Sequence, residues 1–468
     1  MSTAAKPWPE WVRRHTALEL LGPPGVFFAK LTIVLSLGAI LYVGGWNAAR
    51  YPIVLGYDMQ PNAAYAHILL DQHHIPHPDQ SAEAHQPPGY YFVAEVAARA
   101  GHEIFGWLEA RPFSAQLPEA SYRGAQILNV ALVFGTALIL LALARLVAPE
   151  RPGVWAASIA FFAFLPVVSK TAAMFHPETL NMFLSAAAIL VATRMMRARR
   201  LTVRPLALLV LCLFGGFLTR SSTLFTLIAI VIGMIAVFGS ARTRIQLSRT
   251  SKITALAALV VVGVVGLLLV NRAPDLASSL HLGARTSVAT RSNFFHFDLG
   301  SMFRAPYRPN FVNEAFPVTY VEIWGDWIGA FAWDPFSTAP LPKALEVLKD
   351  QVWIGVLPTM LALAGWLALA RRAIRRAPEL VALTALPFVA LLGYLIRSYQ
   401  LMSADGDLLK ASYLLTTAPV WALGFGSAFA ALGRYRRVQL VLGACLVVFA
   451  VLELRFTMYG VRDNMPIF

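Results

Sequence analysis

The stretch VFFAKLTIVLSLGAILYVGGW, residues 26–46, decides the class of fold to which this chain belongs. Lys30 is its only charged residue, and a helix of about 20 apolar residues is long enough to cross the hydrocarbon core of a bilayer. Similar runs recur along the 468 residues, of which 57% are hydrophobic and 14% charged, with a mean hydropathy of +0.61. Soluble domains carry roughly 25% charged residues. The sequence therefore predicts an all-α polytopic membrane protein.

The apolar runs predict about eleven membrane-spanning helices. The runs at 205–219 and 222–239 are short, and LTRSST divides them, so they could instead form one bent hairpin that does not fully cross. We expect the helices at about residues 26–46, 124–147, 154–168, 178–194, 205–219, 222–239, 253–271, 351–370, 379–397, 411–431 and 437–456.

Groups of basic residues lie in short connections between the apolar runs. With the N-terminus in the cytoplasm every group faces inward, as the positive-inside rule expects. The net charge of +14 is thus explained by topology, and we expect no nucleic-acid partner. Because the chain is compact and Arg-rich and lacks organelle signals, we expect it in a bacterial inner membrane. The groups are Arg194, Arg197, Arg199, Arg200 and Arg204; Arg242, Arg244, Arg249 and Lys252; Arg371, Arg372, Arg375 and Arg376; and Arg434, Arg436 and Arg437.

This topology places two long hydrophilic segments on the outer face. The sequence then divides into a cytoplasmic or interfacial N-terminus at 1–25, a first module of seven helices at 26–271, a second outer loop at 272–350, and C-terminal helices at 351–468. The first outer loop, 47–123, belongs to the first module. Within the N-terminus, residues 8–21 are typical of a short interfacial helix.

The first outer loop is predicted to hold two helices that lie on the membrane surface. The first follows Pro61 and has apolar residues at helical spacing, with Asp58 just before it. The second covers roughly 89–106, because the prolines at 87 and 88 favour a helix start. Tyr90, Tyr91, Phe92, Val96 and Ile104 are then available for the bilayer boundary, where tyrosine is enriched.

Several short segments carry a resemblance when they are taken in chain order. They are Asp58, HQPPGYY (85–91), HPETLNMFLSAAAIL (176–190), GGFLTRSSTLF (215–225), YVEIWGDWIG (320–329) and GDLLKASYLL (406–415). Together they resemble the polyprenyl-phosphate-dependent glycosyltransferases of the GT-C fold. The branch concerned is the dolichyl-phosphate-mannose mannosyltransferase-like family, with the protein O-mannosyltransferases and aminoarabinose transferases. Many members have Asp-Glu at the acidic position, whereas here Met59 follows Asp58.

The resemblance implies an inverting transfer of a sugar from a polyprenyl-phosphate donor to a hydroxyl acceptor on a lipid, glycan or protein. Such a reaction needs a base for the hydroxyl proton, cationic groups for the leaving phosphate, and a groove for the lipid tail. Asp58 is the candidate base. Asp also suits a helix cap or a turn, and either role would explain the residue structurally.

The remaining candidates are substrate-binding residues on the predicted outer face. His85 could orient Asp58, contact the sugar or bind a metal, while Glu178 could instead cap a helix. Arg397 could simply extend from the end of a span to the interface. The candidates are His85, Gln86, Tyr90, His176 and Glu178; Arg220, Arg397, Lys410 and Tyr413 for the phosphate; and Tyr320, Trp324 and Asp326 for the sugar or acceptor.

A divalent metal ion is a further candidate ligand. His73, His74, His77 and His85 with Glu83 could form a zinc or manganese site. Their spacing matches no closed zinc pattern, and solvated loop histidines are the favoured interpretation of the first three.

Other classes of function compete with the transferase. A transporter or flippase of a lipid-linked sugar would tend to place ionisable groups at mid-membrane within repeated halves. Here the acidic residues gather in the outer loops and no repeat is evident, which favours an enzyme. A non-catalytic membrane subunit, or a ligase for a preassembled glycan, stays open. In every case membrane lipids surround the chain.

Overall fold

The structure is a computed structural model that describes residues 24–105, 119–239, 292–308, 310–333, 337–400, 402 and 409–460. Within these ranges the chain is helical and contains no β-strand, which confirms the predicted all-α class. The α-helices are α1 (Pro24–Arg50), α2 (Met59–Asp71), α3 (Gly89–Phe105), α4 (Arg123–Val147), α5 (Pro152–Ala163), α6 (Pro166–Ala173), α7 (Glu178–Ala198), α8 (Val203–Thr219), α9 (Thr223–Phe238), α10 (Leu299–Arg304), α11 (Ala315–Trp324), α12 (Pro342–Ile354), α13 (Val356–Arg375), α14 (Val381–Gln400), α15 (Ala418–Ala431) and α16 (Arg436–Thr457).

Seven helical stretches in the described part of the chain are long and apolar enough to cross a membrane. The count of about eleven stays a prediction, because α8 and α9 have only 17 and 16 residues and the run at 253–271 lies outside the described residues. The N-terminal helix predicted at 8–21 also lies outside them. The seven stretches are Gly25–Arg50, Ala120–Val147, Glu178–Ala198, Pro342–Arg375, Pro378–Gln400, Ala411–Ala431 and Arg437–Thr457.

One predicted span, 154–168, proves to be broken. Its residues are divided between α5 and α6, which bend by 49° and count as an eighth crossing only if taken together. Leu165 is extended (φ −79°, ψ 111°) because the ring of Pro166 disfavours the helical conformation in the residue before it. Pro166 also has no N–H to continue the hydrogen bonding of α5. The bend buries Lys170 of α6 near the outer loops.

The two surface helices of the first outer loop form α2 and α3, as the sequence predicts. They pack on each other through the rings of Tyr65 and Tyr91, which stack with centroids 4.1 Å apart. The assignment of Tyr90 and Tyr91 to the bilayer boundary is wrong. Both rings are fully buried, because they lie on the face of α3 that meets α2, α4 and Phe175.

The opposite face of α3 leaves its apolar residues uncovered. Phe92, Val96 and Ile104 are all exposed, as expected for residues at a membrane boundary. On the inner face, Gly101 and Gly124 allow α3 and α4 to cross closely: a Cβ on Gly124 would lie 1.9 Å from the carbonyl oxygen of Ala97. This close crossing fixes α3 against the outer end of α4.

The two outer loops share one apolar core. Tyr51 and Tyr57 of the first loop pack with Phe294, Val318 and Trp327 of the second. Trp327 is fully buried, and its indole N–H donates to the carbonyl oxygen of Asn310 at 3.1 Å. The second loop therefore lies directly against the segment that carries Asp58.

Candidate active site

Asp58 stands at the junction between the first outer loop and α2. Its backbone is in the left-handed region (φ 52°, ψ 27°), and its side chain makes no capping hydrogen bond to α2. Asp tolerates this conformation better than most residues, yet non-glycine residues there are uncommon and concentrate at functional sites. Helix capping, the structural explanation for an aspartate at this position, therefore does not account for the Asp58 carboxylate.

Lys410 supplies the partner of that carboxylate. Its Nζ donates to Oδ2 of Asp58 at 2.8 Å, and it lies 5.4 Å from the ring centroid of Tyr57. Burial opposes ionisation of Asp58, but the charge and hydrogen bond of Lys410 outweigh it and lower the pKa of the carboxyl below its ordinary value. The Lys410 side chain is buried, whereas that of Asp58 stays 29% exposed. The carboxylate is therefore ionised and open on one side.

A second ion pair lies beside the first. Arg220, between α8 and α9, donates through Nε to Oε1 of Glu178 at 2.7 Å, and both side chains are buried. The Arg220 guanidinium carbon lies 5.3 Å from the ring centroid of Tyr413. Because Glu178 pairs with Arg220, the carboxylate has a role besides any effect on the first turn of α7.

His176 is close enough to both ion pairs for the charges of Arg220, Asp58 and Lys410 to act on its ring. Its ring meets that of Tyr57 edge-on at 6.2 Å, and its Nδ1 is buried without a hydrogen-bond partner in the described chain. Burial, together with the nearby charge of Arg220, lowers the pKa of His176 to about 3. The imidazole is thus neutral at physiological pH and keeps one polar atom available, as expected of a group that awaits a ligand.

A further predicted residue, Arg397, borders this group on its exposed side. Arg397, at the end of α14, is exposed and donates to the hydroxyl of Ser221 at 3.5 Å. Its charge and that of Arg220 repel each other, while Glu83 attracts it weakly. Two neighbouring guanidinium groups favour an anion between them.

His85 and Gln86 form a small hydrogen-bonded unit at the same side. His85 Nδ1 must donate to the carbonyl oxygen of Ala82 (3.0 Å), so its Nε2 accepts from the Gln86 amide at 2.8 Å. Burial lowers the pKa of His85, and the charges of Arg220 and Arg397 act in the same direction. The neutral His85 therefore faces the arginines, although it makes no direct contact with Asp58 among the hydrogen bonds of the described residues.

An apolar groove begins next to Arg220. Its cavity volume is about 540 Å³, and it runs between the start of α3 and the outer halves of α7 and α8. Thr219 and Leu180 bring it to within two residues of Arg220 and Glu178 along the chain. The wall consists of Leu69, Pro88, Gly89, Phe92, Val93, Leu180, Leu184, Gly215, Leu218 and Thr219.

Three predicted sugar-binding residues lie elsewhere. Tyr320 donates to the carbonyl oxygen of Val352 at 2.8 Å, and Trp324 donates to the hydroxyl of Thr359 at 2.8 Å, so both hydrogen-bond to α12 and α13. The carboxylate of Asp326 is fully buried and accepts three backbone N–H groups. The structure therefore does not bring these three side chains to Asp58, and their role in sugar binding stays a prediction.

Sequence analysis missed three residues that the structure connects to the site. Tyr57 donates its hydroxyl to Oε2 of Glu322 at 2.8 Å, and Lys170 lies 4.0 Å from that same oxygen. A signal for Lys170 was present, because it is a lone lysine among apolar residues on the predicted outer face. Glu322 lies in the segment YVEIWGDWIG, from which the sequence predicted Tyr320, Trp324 and Asp326 instead.

The predicted metal site receives no support from the geometry. In the ranges that the structure describes, no group of three or more His, Cys, Asp or Glu side chains is arranged to hold an ion. His73 and His77 are exposed on the loop between α2 and α3, and His85 is occupied by Ala82 and Gln86. The predicted histidine cluster is thus not arranged to hold a cation in the described part of the chain, and a divalent ion elsewhere stays a prediction.

The helical arrangement that carries this site is a GT-C-like fold. It is shared with solved structures of an oligosaccharyltransferase from Archaeoglobus fulgidus. The form tethered with an acceptor peptide containing the NVT sequon matches with a TM-score of 0.52 and 13% identity, covering 93% of this chain and 55% of that one. The complex with zinc and sulfate matches with a TM-score of 0.50 and 16% identity, covering 92% and 53%.

These similarities concern the fold alone, since the identities are low and this chain spans about half the length of those proteins. No family model matches the sequence, and no curated protein matches it. The mannosyltransferase-like branch therefore stays a resemblance carried by the short segments of the sequence.

Proposed function

We propose that this protein is an inverting membrane glycosyltransferase that moves a sugar from a polyprenyl-phosphate donor to a hydroxyl acceptor. One observation carries the proposal. The partly exposed Asp58 carboxylate pairs with Lys410, the charge of Arg220 acts on the same carboxyl, and an apolar groove begins at Thr219, next to Arg220. A base, an anion site and a lipid site are the three parts that this reaction needs.

Asp58 takes the acceptor proton in this mechanism. The acceptor oxygen attacks the anomeric carbon from the face opposite the phosphate, and the carboxylate removes its hydrogen as the bond forms. Lys410 keeps the base ionised before the reaction, because its charge and hydrogen bond lower the pKa of Asp58. A glycan, a lipid or a protein side chain can supply the hydroxyl.

Arg220 and Arg397 receive the phosphate. The leaving group is a stable anion, so it needs electrostatic stabilisation and no general acid. Arg220 is held in place by Glu178 and by the ring of Tyr413, and Arg397 faces it across Ser221. A phosphate between the two guanidinium groups relieves their repulsion and accepts hydrogen bonds from both.

The groove between α3, α7 and α8 holds the start of the polyprenyl chain. Its wall is apolar, and a phosphate on Arg220 would place the first isoprene units at its mouth. The exposed face of α3, with Phe92 and Val96, continues this apolar surface into the bilayer. The lipid therefore enters from the membrane rather than from water.

No step of this mechanism passes through a metal ion. The archaeal oligosaccharyltransferase was solved with zinc and sulfate, but the described residues here contain no group of three or more His, Cys, Asp or Glu side chains arranged to hold an ion. We therefore expect full activity in excess EDTA. A loss of activity that added zinc or manganese restores would overturn this part of the proposal.

The direct test measures loss of donor. Purified protein in bilayer nanodiscs receives radiolabelled polyprenyl-phosphate sugars, with a crude acceptor fraction, and the remaining donor is counted. Leu184→Trp fills the groove and should raise the donor KM at least tenfold. Leu211→Trp, on an exposed part of α8, is the matched control and should leave it unchanged.

The outcome also separates competing functions. A ligase would consume a diphosphate-linked oligosaccharide and spare the monophosphate donors. A flippase would move labelled lipid between leaflets without consuming it. Either result, with no turnover of any polyprenyl-phosphate sugar, contradicts the proposal.

A further inference from the structure

Two tyrosine hydroxyls tie the segment before Asp58 to the second outer loop. Tyr51 donates to the carbonyl oxygen of Ala330 at 2.6 Å, and Tyr57 donates to Oε2 of Glu322 at 2.8 Å. Both tyrosines are buried. The segment 51–58 is thus held near its two ends by the same stretch of the second loop, residues 322–332.

That stretch is itself fixed by buried charges. Glu322 accepts the N–H of Ile328 at 2.8 Å, and Asp326 accepts the N–H groups of Ala330, Phe331 and Ala332 at 3.2, 2.8 and 2.6 Å. Lys170 donates to the carbonyl oxygens of Glu322 and Gly325, and it lies 4.0 Å from each carboxylate. We name Lys170, Glu322 and Asp326 the anchor cluster.

Every charge of the anchor cluster is satisfied inside the protein. Removing one partner from such a buried group leaves an uncompensated charge, which is strongly destabilising. The stretch 322–332 therefore has little freedom to move. The hydroxyls of Tyr51 and Tyr57 are therefore bound to acceptors that keep a fixed position.

The segment between the two tyrosines needs such a restraint. It contains a 3-10 turn at Ile53–Leu55 and ends at Asp58 in the left-handed region. Backbone in a sparsely populated conformation persists only where the surroundings determine it. The carboxylate of Asp58 makes no capping hydrogen bond to its own helix, so among the described residues the backbone of this segment and Lys410 determine where it points.

We propose that Tyr51 and Tyr57 are positioning residues for Asp58, with Glu322 and the Ala330 carbonyl as their fixed acceptors. The catalytic part of this inference rests on the proposed function. In this proposal the second outer loop determines the orientation of the Asp58 carboxylate. An offset of about 1 Å at a reacting group can lower the rate about 100-fold.

The substitutions Tyr51→Phe and Tyr57→Phe test this inference with little disturbance. Each removes one hydroxyl and keeps the ring, so the contact of Lys410 with the face of Tyr57 is retained. Tyr394→Phe is the matched control. Its buried hydroxyl also bonds to the second outer loop, at Thr319 of α11 (2.9 Å), but it has no hydrogen bond to the segment 51–58.

Two measurements separate positioning from a general loss of stability. Hydrogen exchange of peptides covering 51–58, in nanodiscs, should become at least fivefold faster in Tyr51→Phe and Tyr57→Phe and unchanged in Tyr394→Phe. Donor turnover should show kcat lowered at least tenfold with donor KM within twofold. A purely structural role would move the thermal midpoint of all three variants alike and leave kcat per folded molecule intact.

The inference is overturned if exchange at 51–58 matches the wild type in both variants, or if kcat stays within twofold while exchange rises. If the wild type consumes no donor at all, the proposed function fails, and exchange alone decides whether the hydroxyls fix the segment. If Tyr57→Phe does not fold, Tyr51→Phe carries the same test, because it removes the other restraint.

Discussion

The protein contains two groups of paired charge that are built from the same kinds of residue and differ in their surroundings. In the anchor cluster, Asp326 accepts three backbone amides and Lys170 donates to backbone carbonyls. In the candidate active site, Asp58 and Lys410 pair through their side chains alone, and the carboxylate remains 29% exposed. Backbone groups occupy the charges of the anchor cluster, whereas the Asp58 carboxylate remains accessible to a ligand.

The difference teaches how a structural carboxylate can be told from a chemical one. The Asp326 carboxylate uses three of its roughly four acceptor sites on backbone N–H groups and lies 4.0 Å from Lys170, so little acceptor capacity remains for a substrate. A carboxylate that pairs with a single ammonium, beside a neutral imidazole whose Nδ1 is unpaired, keeps acceptor capacity directed into the site. We therefore infer a catalytic role for Asp58 and a structural role for Asp326.

The strongest test of that division is Asp58→Asn. Asn tolerates the left-handed backbone, so the variant should fold and bind donor lipid normally. It cannot accept a proton, so donor turnover should fall by about 10²–10⁴-fold, the usual contribution of a general base. Single-turnover loss of labelled donor measures the effect. Turnover within threefold of wild type would remove Asp58 from the mechanism.

The converse change is Asp326→Ala. Three backbone N–H groups then lose their acceptor and Lys170 loses a partner, so the free energy of unfolding should fall by about 3–5 kcal/mol. Thermal unfolding in detergent measures this loss. Donor KM in the folded fraction should stay within twofold of wild type. A raised KM with unchanged stability would instead restore the sugar-binding role predicted from the sequence.

The sequence could not have separated these two aspartates. Both lie in outer segments near aromatic residues, and hydrogen bonding to a turn six residues ahead leaves no mark on the pattern of residues. The all-α class and the helices flanking HQPPGYY were predictable, since they depend on apolar periodicity and on proline. The break at Pro166 was recognisable in principle.

Pairing between distant residues was beyond the sequence. Asp58 and Lys410 are 352 positions apart, and only the packing of both loops brings them to 2.8 Å. The predicted topology put Asp58 and Lys410 on the same side of the membrane, but it could not show that these two residues form an ion pair. Tyr90 and Tyr91 show the same limit: their composition suits an interface, and only tertiary packing of α3 against α2 and α4 buries them.

His176 gives a smaller effect that depends on pH. Its folded-state pKa is about 3, below the ordinary value of 6.5, so the unfolded state binds more protons between these values. Stability contributed by the neutral ring is full above pH 6.5 and is lost as the pH falls, by up to about 1.4 kcal/mol per pH unit. The groups that face it are Arg220, Asp58 and Lys410.

His176→Asn should remove that acid sensitivity. Thermal midpoints of wild type and variant, compared between pH 7.5 and 5, should converge as the pH falls, because Asn does not titrate in this range. Parallel curves would show that the imidazole is not held neutral. His77→Asn, on the exposed loop, is the control and should follow the wild type.

The smallest expected effect concerns Arg397, for which extension to the interface was the structural alternative. The side chain is exposed, and its one side-chain hydrogen bond within the described part of the chain is a long one to Ser221 (3.5 Å), so its loss should leave stability unchanged. A phosphate contact at an exposed site contributes about 1 kcal/mol. Arg397→Gln should therefore raise donor KM about three- to tenfold with kcat unaltered. Arg304→Gln removes an equal charge from the exposed surface of α10, and it controls for long-range attraction of the anionic donor. Equal increases in both variants would mean that the charge steers the donor from a distance, and the anion site would then rest on Arg220 and Lys410 alone.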